Sequence, residues 1–212
     1  MLSQPEIMHR LGQVGAILDG HFVLTSHLHS GRYVSKEAVM PHVDQLHALC
    51  SDFARAFESS RVETVIAPAV AGVALSTWTA WELRRLFGTN TMSIWADKEG
   101  DEFVIKRGFP RFLNAARTLV VEDVITSGGS VARVIAAARA CGADVIGVAA
   151  FVNRGSSTAA SLGVPKLHAL ATIGDIPTWT ADVCPLCRDG IAVNTDLGHG
   201  RQFLQERASA SP

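Results

Sequence analysis

Residues 120–130 read VVEDVITSGGS, and they indicate a strand, a short loop and a helix. An apolar run at 118–121 is typical of a buried strand, and an apolar stretch at 131–140 has the pattern of a helix. Two adjacent acids, Glu122 and Asp123, close the predicted strand. The loop that follows is made of small residues, namely Thr126, Ser127, Gly128, Gly129 and Ser130.

This loop has the chemistry of an anion site. Glycines let the backbone approach a ligand closely, and the amides, hydroxyls and helix N-terminus all favour phosphate oxygens. The two carboxylates would repel a phosphate, but they would accept hydrogen bonds from a pair of vicinal hydroxyls. The combination predicts a site for a ribose 5-phosphate. The alternative is an ordinary strand, turn and helix of an α/β protein, in which the acid pair is an accident.

Two better-known phosphate motifs do not fit these residues. A Walker A loop requires Gly-Lys-Ser/Thr, and the loop at 126–130 contains no lysine. The dinucleotide fingerprint requires GxGxxG and places its acid about 20 residues further on. Neither a P-loop nucleotide site nor a dinucleotide site is therefore predicted.

The bulk composition limits the class of protein. The chain has 212 residues, of which 48% are hydrophobic, so one domain with a subsidiary lobe is expected. A net charge of −1 gives no electrostatic footprint for nucleic acid or an anionic membrane. There is no apolar run of roughly 18 residues and no signal-peptide pattern, so we expect a cytoplasmic protein. The four cysteines are too few for a disulfide framework and are expected to be free thiols.

Hydrophobic periodicity predicts an α/β order of elements. Helices are predicted at 5–18, 41–57, 72–87 and 131–141, and strands at 22–24, 33–34, 62–67, 91–95, 118–121, 145–152 and 167–173. Strands that alternate with helices imply a parallel sheet with helices on both faces. The short N-terminal strands form a hood, and the tail at 198–212 is expected to be poorly ordered.

Three further segments follow predicted strands, where ligands gather in such sheets. Ala69, Val70, Ala71 and Gly72 open a helix, so their amides could face a pyrophosphate, although close strand-to-helix packing would also explain small residues. The charged residues at 97–108 indicate a mobile hairpin or a solvated surface loop. Arg154 could grip a carboxylate by two-point hydrogen bonding.

Several stretches resemble the orotate phosphoribosyltransferases, which are type I phosphoribosyltransferases. VVEDVITSGGS resembles their signature for phosphoribosyl pyrophosphate (PRPP). The other stretches, in family order, are GHFVLTSHLHSGRYVSK at 20–36, IAPAVAGV at 66–73, ADKEGDEFVIKRGF at 96–109, FVNR at 151–154 and CPLCRDG at 184–190. Together they extend over nearly the whole chain.

The resemblance implies a fold and a reaction. The fold would be a single type I phosphoribosyltransferase-like domain, a parallel sheet flanked by helices. Its core would lie at about 60–160, with a flexible lid hairpin at about 97–110 and a small hood made of 1–40 and about 165–195. The reaction would join orotate to PRPP, with magnesium bound mainly through PRPP, and yield orotidine 5′-monophosphate and diphosphate. A homodimer is implied, with the lid acting across the interface.

The resemblance also implies residue roles. Glu122 and Asp123 would hold the ribose hydroxyls, and residues 126–130 the 5′-phosphate. Residues 69–72 would contact the pyrophosphate, with a cis peptide between Ala69 and Val70. The catalytic residues would be Lys98, Lys106, Arg107 and Asp123, and the orotate site would contain Arg154, Thr126 and Tyr33.

Departures from the family pattern keep two alternatives open. His27 replaces a glycine of the family's hood, Gly31 replaces an aspartate, and Asn153 replaces the aspartate of the VDR segment. A paralogue that acts on another base could carry the same acid pair and phosphate loop. So could a catalytically silent regulator that senses PRPP or nucleotides.

Cys184 and Cys187 have the spacing of zinc ligands, but the sequence has no second CxxC pair. His168, His199 or the same pair from another subunit could complete a zinc site; the alternative is a turn with two free thiols. We interpret His21, His27 and His29 as hydrogen-bonding residues of the hood, because their spacing matches no tight zinc pattern.

Overall fold

The computed structural model describes residues 2–35, 37–172 and 176–209. Within these ranges, helices and strands alternate along most of the chain. In order, they are α1 (Gln4–Gln13), β1 (Ile17–Val23), β2 (His29–Val34), α2 (Val43–Ala56), β3 (Thr64–Pro68), α3 (Gly72–Phe87), β4 (Met92–Glu99), β5 (Glu102–Val104), β6 (Arg117–Ile125), α4 (Gly129–Ala140), β7 (Asp144–Asn153), β8 (Leu167–Thr172), β9 (Thr178–Trp179), α5 (Pro185–Arg188) and α6 (Gly200–Ser209).

The larger sheet has the order β5-β4-β3-β6-β7-β8 and is parallel except for β5, which pairs antiparallel with β4. Its central strands are buried on both faces, which explains their continuous apolar runs. One hydrophobic cluster joins a face of the sheet to α1, α2 and α3, and a second joins the opposite face to α4 and the base of the β4–β5 hairpin. The predicted parallel sheet with helices on both faces is confirmed.

A second, smaller sheet forms the hood. β1 and β2 pair antiparallel, and β9 returns from the C-terminal part of the chain to pair with β2 at His29 and Ser30. β8 belongs to the larger sheet, so the C-terminal part of the chain returns to the hood only after that strand. None of the helices in the described ranges is long and apolar enough to cross a membrane.

The N-terminal helix is shorter than its periodicity predicted. It ends at Gln13, and Gly15 adopts a positive φ of 68° in the turn that follows. Ile17 and Leu18 were expected on the helix, but they begin β1 and pair with Val34 and Tyr33. Their helical spacing to the residues before them is therefore coincidental, because cross-strand pairing determines their conformation.

Other boundaries also differ from prediction. The second helix begins at Val43 instead of Pro41, and Val43 is exposed, not on the buried face. β6 continues to Ile125, because its backbone pairs with β7 as far as Asn153. The tail from Gly198 was expected to be poorly ordered, but it forms α6, which is anchored where the His199 N–H donates to the Val23 carbonyl at 2.8 Å. Residue 173 of the predicted β8 and residues 210–212 of the tail lie outside the described residues.

Candidate active site

The acid pair and the loop line one cavity of about 320 Å³. It lies where β6 ends and α4 begins, at the carboxyl edge of the parallel strands. The lining residues are Val34, Glu122, Asp123, Val124, Ile125, Thr126, Ser127, Gly128, Gly129, Ser130, Val131, Arg133 and Arg154. We call this space the cradle cavity. It brings together the two parts of the predicted ribose phosphate site.

The loop conformation exposes the start of α4 to the cradle cavity. Gly128 has a φ of 78°, a left-handed conformation that residues with a Cβ seldom adopt, and its carbonyl accepts the Ala132 N–H at 2.8 Å. The side chains of Thr126, Ser127 and Ser130 are exposed. The backbone amides of the first turn of α4 and the positive end of the helix dipole therefore face the space where a phosphate would lie.

The two acids belong to the last part of β6 and are both buried. The Asp123 N–H donates to Glu122 Oε1 at 3.0 Å, and the Val124 N–H donates to Asp123 Oδ1 at 2.6 Å. A carboxylate can accept several hydrogen bonds, and these two local bonds help to orient the acids. The strand thus holds two oriented carboxylates at the base of the cavity.

Arg133 lines the cradle cavity and was not identified from the sequence. A Cβ placed on Gly129 would lie 3.9 Å from Arg133 Nη2, so the guanidinium extends beside the loop. Its Nε is buried and has no hydrogen-bond partner among the described residues. The signal in the sequence was a cation one helical turn after the glycine pair.

A second cavity, of about 730 Å³, opens beside the first. It is lined by Leu24, Thr25, Ser26, Tyr33, Val34, Thr126, Arg154, Ile176, Gly198 and His199. We call it the hood cavity. Arg154, Thr126 and Tyr33, which were the predicted orotate residues, all lie on its wall. Sequence reasoning missed the residues at 24–26, 176 and 198–199, because they come from segments far apart in the chain.

The two cavities touch through the end of β7. Val34, Thr126 and Arg154 line both of them, and the Arg154 N–H donates to the Ile125 carbonyl at 2.8 Å. A Cβ on Gly155 would lie 2.0 Å from the Thr126 carbonyl oxygen, so only glycine allows this close approach. The arginine turn therefore packs directly against the phosphate loop.

The predicted pyrophosphate loop follows β3. It contains the expected cis peptide between Ala69 and Val70, and the Ala69 N–H donates to the Ala96 carbonyl at 2.8 Å. Val70 is 86% exposed. A Cβ on Gly72 would lie 2.7 Å from Ala67 Cβ, so close strand-to-helix packing explains at least this glycine.

The lid is the β4–β5 hairpin and the turn after it. Lys98 is exposed and pairs with Phe103 across the hairpin. Lys106 forms an ion pair with Glu99, and Arg107 Nε lies 3.5 Å from Asp97 Oδ2. Neither these three cations nor residues 69–72 line the cradle or the hood cavity. In this conformation the lid acids neutralise two of the lid cations, and the third extends into solvent.

His27 lies at the tip of the β1–β2 hairpin. Its φ is 59°, which is the left-handed region, and its N–H donates to the Leu24 carbonyl at 2.9 Å. This left-handed backbone conformation explains why a glycine suits the position. The His27 ring lies 6.3 Å from the His199 ring, so it stands beside the hood cavity without lining it.

Two histidines and two cysteines meet on the far side of the hood. The side chains are His21 from β1, His29 from β2, and Cys184 and Cys187 from the start of α5, and both cysteines are free thiols. Burial lowers the pKa of His29 and raises the pKa of the Cys187 thiol. His21 and His29 do form hydrogen bonds, as expected, but they also face the cysteines.

The two histidines that the sequence offered as possible partners of Cys184 and Cys187 lie elsewhere. His168 Nε2 is 3.1 Å from Asp52 Oδ1, and the His199 ring stands beside His27. Neither belongs to the group with Cys184 and Cys187. The sequence alone did not indicate His21 and His29, because only the β1–β2 pairing brings them side by side.

Comparisons with known proteins agree with this geometry. No protein-family model matches the chain. The orotate phosphoribosyltransferase of Desulforamulus reducens is 38% identical over 190 residues, covering 90% of this chain and 94% of the relative. That of Thermus thermophilus is 35% identical over 186 residues, covering 88% and 97%.

Solved structures share the fold. The crystal structure of orotate phosphoribosyltransferase from Aeropyrum pernix has a TM-score of 0.64 at 24% identity, covering 79% of this chain and 93% of that one. The central parallel sheet with flanking helices is thus the type I phosphoribosyltransferase fold. With a curated relative matched at this identity over nearly its full length, the chain belongs to the orotate phosphoribosyltransferase family.

Proposed function

We propose that this protein transfers the phosphoribosyl group of PRPP to orotate, yielding orotidine 5′-monophosphate and diphosphate. The observation that carries the proposal is the pair of adjoining cavities. One has carboxylates and a helix N-terminus for a ribose phosphate, and the other shares Thr126 and Arg154 with it. A sugar phosphate and a charged base could therefore meet at the common wall.

PRPP would occupy the cradle cavity. Glu122 and Asp123 would accept hydrogen bonds from the 2′ and 3′ hydroxyls, and the loop at 126–130 would donate to the 5′-phosphate. Arg133 would add a guanidinium to the phosphate end, because its Nε is buried without a partner among the described residues. Charge-assisted hydrogen bonds of this type are shorter and stronger than neutral ones.

Orotate would occupy the hood cavity. It differs from uracil by a carboxylate, and Arg154 is the residue on that wall with a fixed-charge fork suited to two-point binding. Thr126 and Tyr33 would contact the ring. Because Arg154 also lines the cradle cavity, the base would be held next to the ribose C1 carbon.

The reaction separates charge, and the site has groups that would stabilise both the positive and the negative charge. As the bond between C1 and pyrophosphate breaks, positive charge develops on the ribose near the buried acids, and negative charge develops on the leaving group. An orotate nitrogen forms the new bond to C1, so no covalent intermediate with the protein is required. Exclusion of water would protect the electron-poor sugar.

Magnesium, arriving mainly on PRPP, would supply positive charge to the pyrophosphate. The residues of the cradle cavity suit this cation, because magnesium prefers oxygen ligands and the cavity is lined by the carboxylates of Glu122 and Asp123. These residues would hold the sugar hydroxyls and add negative charge that favours the cation nearby.

The lid and residues 69–72 would hold the leaving pyrophosphate. Lys98 extends into solvent on the hairpin, so closure of the lid, from its own chain or from a partner, would be needed to bring it to the site.

We place the lid across the interface of a homodimer, as the family resemblance implies. An exposed apolar patch on α2 and α3, with Val43 61% and Trp81 47% exposed, supports association of two copies. The cytoplasmic location expected from composition stays a prediction.

One assay tests the proposal. Purified protein with PRPP and magnesium would be given orotate, uracil, adenine or hypoxanthine, and pyrophosphate release measured. We expect release with orotate and much less with the other bases. Release with another base alone would indicate a paralogue of different specificity, and PRPP binding without release on any base would indicate a sensing regulator.

A further inference from the structure

The group of His21, His29, Cys184 and Cys187 lies outside both cavities and has the composition of a metal site. Each residue presents one ligand atom, and all four atoms lie within 4.8 Å of one another. They come from β1, β2 and the start of α5, so three separate segments converge on one point. Two imidazoles and two thiols are ligands that zinc takes in closed, four-coordinate sites.

Three of the six distances between the ligand atoms match the edges of a metal-centred tetrahedron. Bond lengths of about 2.3 Å for Zn–S and 2.0–2.1 Å for Zn–N give tetrahedral edges of roughly 3.3–3.8 Å. His21 Nε2 lies 3.7 Å from both Cys184 Sγ and Cys187 Sγ, and Cys187 Sγ lies 3.3 Å from His29 Nδ1. The two ring nitrogens are 2.8 Å apart and would separate by only about half an ångström.

A hydrogen bond outside the group orients one of the ligands. His21 Nδ1 lies 2.7 Å from the Ile191 carbonyl, which can only accept, so that ring nitrogen carries the proton. The lone pair of His21 Nε2 is thereby directed at the other three residues. A metal-bound histidine normally has this arrangement, with its second ring nitrogen donating to a carbonyl or carboxylate.

Burial indicates a structural site and not a catalytic one. His21 and Cys184 are 2% exposed, His29 is 0% exposed, and Cys187 is partly buried. Four protein ligands around a closed position leave no place for water or substrate, whereas catalytic zinc keeps one position open.

We propose that His21, His29, Cys184 and Cys187 bind one zinc ion and fasten the C-terminal segment to the hood. Binding converts Zn²⁺, two neutral thiols and two neutral imidazoles into a neutral complex with two thiolates, and releases two protons. No electrons are transferred.

The zinc ion would stabilise the wall of the hood cavity. Between Cys187 and α6, the Asn194 N–H donates to the His21 carbonyl at 2.7 Å, and the His199 N–H donates to the Val23 carbonyl at 2.8 Å. This stretch delivers Gly198 and His199 to the hood cavity. An ion bound by Cys187 and His21 would therefore fix the start of this segment to β1, the strand that also holds its end through Val23.

Metal content tests the proposal directly. The full chain, purified under reducing conditions without an affinity tag that binds metal, would be analysed by mass spectrometry for zinc, iron, nickel and copper. We expect about one zinc per chain. Cys187→Ser and His29→Asn should each reduce the zinc content at least about tenfold, whereas the matched controls Cys141→Ser and His9→Asn, which lie outside the group, should retain it.

Two measurements on the unmodified chain keep the test valid if the variants fail to fold. Replacement of zinc by cobalt should give the intense visible bands of a tetrahedral thiolate site, and a strong chelator should lower the melting temperature. A chain that holds no transition metal and takes up no added zinc with its thiols reduced would overturn the proposal. So would iron as the bound metal, full zinc content in Cys187→Ser, or an intact mass showing a disulfide between Cys184 and Cys187.

Discussion

The cradle cavity and the hood cavity adjoin each other, but they are built in different ways. Ten consecutive residues, 122–131, supply most of the cradle lining, and the backbone bonds that orient its acids join neighbours in the chain. The hood cavity collects its lining from 24–26, 33–34, 126, 154, 176 and 198–199. Local sequence therefore determines the cradle, whereas the hood cavity exists only once distant segments have packed together.

The difference explains where the chain departs from its family. The substitutions at His27 and Gly31 lie in the hood, and Asn153 precedes the shared Arg154, whereas the VVEDVITSGGS motif fits the family signature. In a contiguous site, each residue also influences the backbone geometry of its neighbours, as the bonds at Glu122 and Asp123 show. We therefore expect substitutions in the cradle to have large effects and substitutions in the hood to have graded ones.

The largest effect is expected for Asp123→Asn. Loss of a charged acceptor costs about 1.5–3 kcal/mol per hydrogen bond, so loss of two bonds to the ribose diol would weaken PRPP binding by roughly 1000-fold. The fold should be retained, because the side chain keeps its size. Calorimetric titration with PRPP measures the change, and Asp144→Asn, at the opposite end of the parallel strands, is the control. Unchanged PRPP affinity in Asp123→Asn would remove the carboxylates from the sugar site.

Arg154→Ala tests the wall that the two cavities share. We expect kcat/KM for orotate to fall by about 100-fold or more, with a much smaller change in KM for PRPP and a narrower preference for orotate over uracil, because a site built around a charged group rejects analogues that lack it. Steady-state kinetics with both bases measures this, and Arg55→Ala on the exposed side of α2 is the control. Equal loss with uracil and orotate would mean that Arg154 does not bind the carboxylate.

Lys98→Ala tests whether the lid completes the cradle. A cation that meets charge developing on the leaving group contributes mainly in the transition state, so kcat should fall by about 100-fold while PRPP affinity changes little. Lys98→Arg should recover part of the turnover.

The same variant tests the dimer. If the lid acts across the interface, a mixture of Lys98→Ala and Asp123→Asn chains should recover activity through hybrid dimers that contain one intact site. No recovery, in a mixture with proven subunit exchange, would assign each lid to its own chain.

Gly155→Ala perturbs the contact between the cavities. The added Cβ would lie 2.0 Å from the Thr126 carbonyl oxygen, so the phosphate loop or the Arg154 turn must move. Strain of this type costs about 1–3 kcal/mol, and we expect PRPP and orotate use to weaken together by about tenfold. Ser156→Ala is the control. A change confined to one substrate would show that the two cavities are less coupled than their shared wall suggests.

The smallest effect is expected for His27→Gly. With φ at 59°, the backbone at His27 is in a region that favours glycine. The free energy of unfolding of His27→Gly should therefore exceed that of His27→Ala by about 1 kcal/mol. Orotate use should be retained or improved in the glycine variant. Denaturant unfolding of His27→Gly and His27→Ala compares them, and an alanine variant as stable as the glycine variant would contradict the backbone explanation.

The order of core elements, the acid pair and the loop could be predicted because periodicity and motif chemistry act between near neighbours. The cis peptide at Ala69–Val70 was available only through the family resemblance, and the structure contains it. Predicted boundaries were wrong where strand pairing overrode local preference, as at Ile17 and Leu18, whose apolar spacing to the preceding residues is helical. The anchored tail was missed because its contacts with the hood, at Val23 of β1 and His29 of β2, join residues far apart in the chain.

The sequence by itself determined the parallel sheet and the cradle at 122–130, since neighbouring residues stay neighbours in any fold and their spacing encodes the geometry. Only the tertiary structure decided that Cys187 meets His21, which is 166 residues away, and that Arg154 and Tyr33 share a wall. Such meetings depend on strand register, on the return of β9 to the hood and on close packing at Gly155. Register, strand return and close packing all follow from the burial of apolar surface by the whole chain. A local pattern of residues therefore cannot predict them.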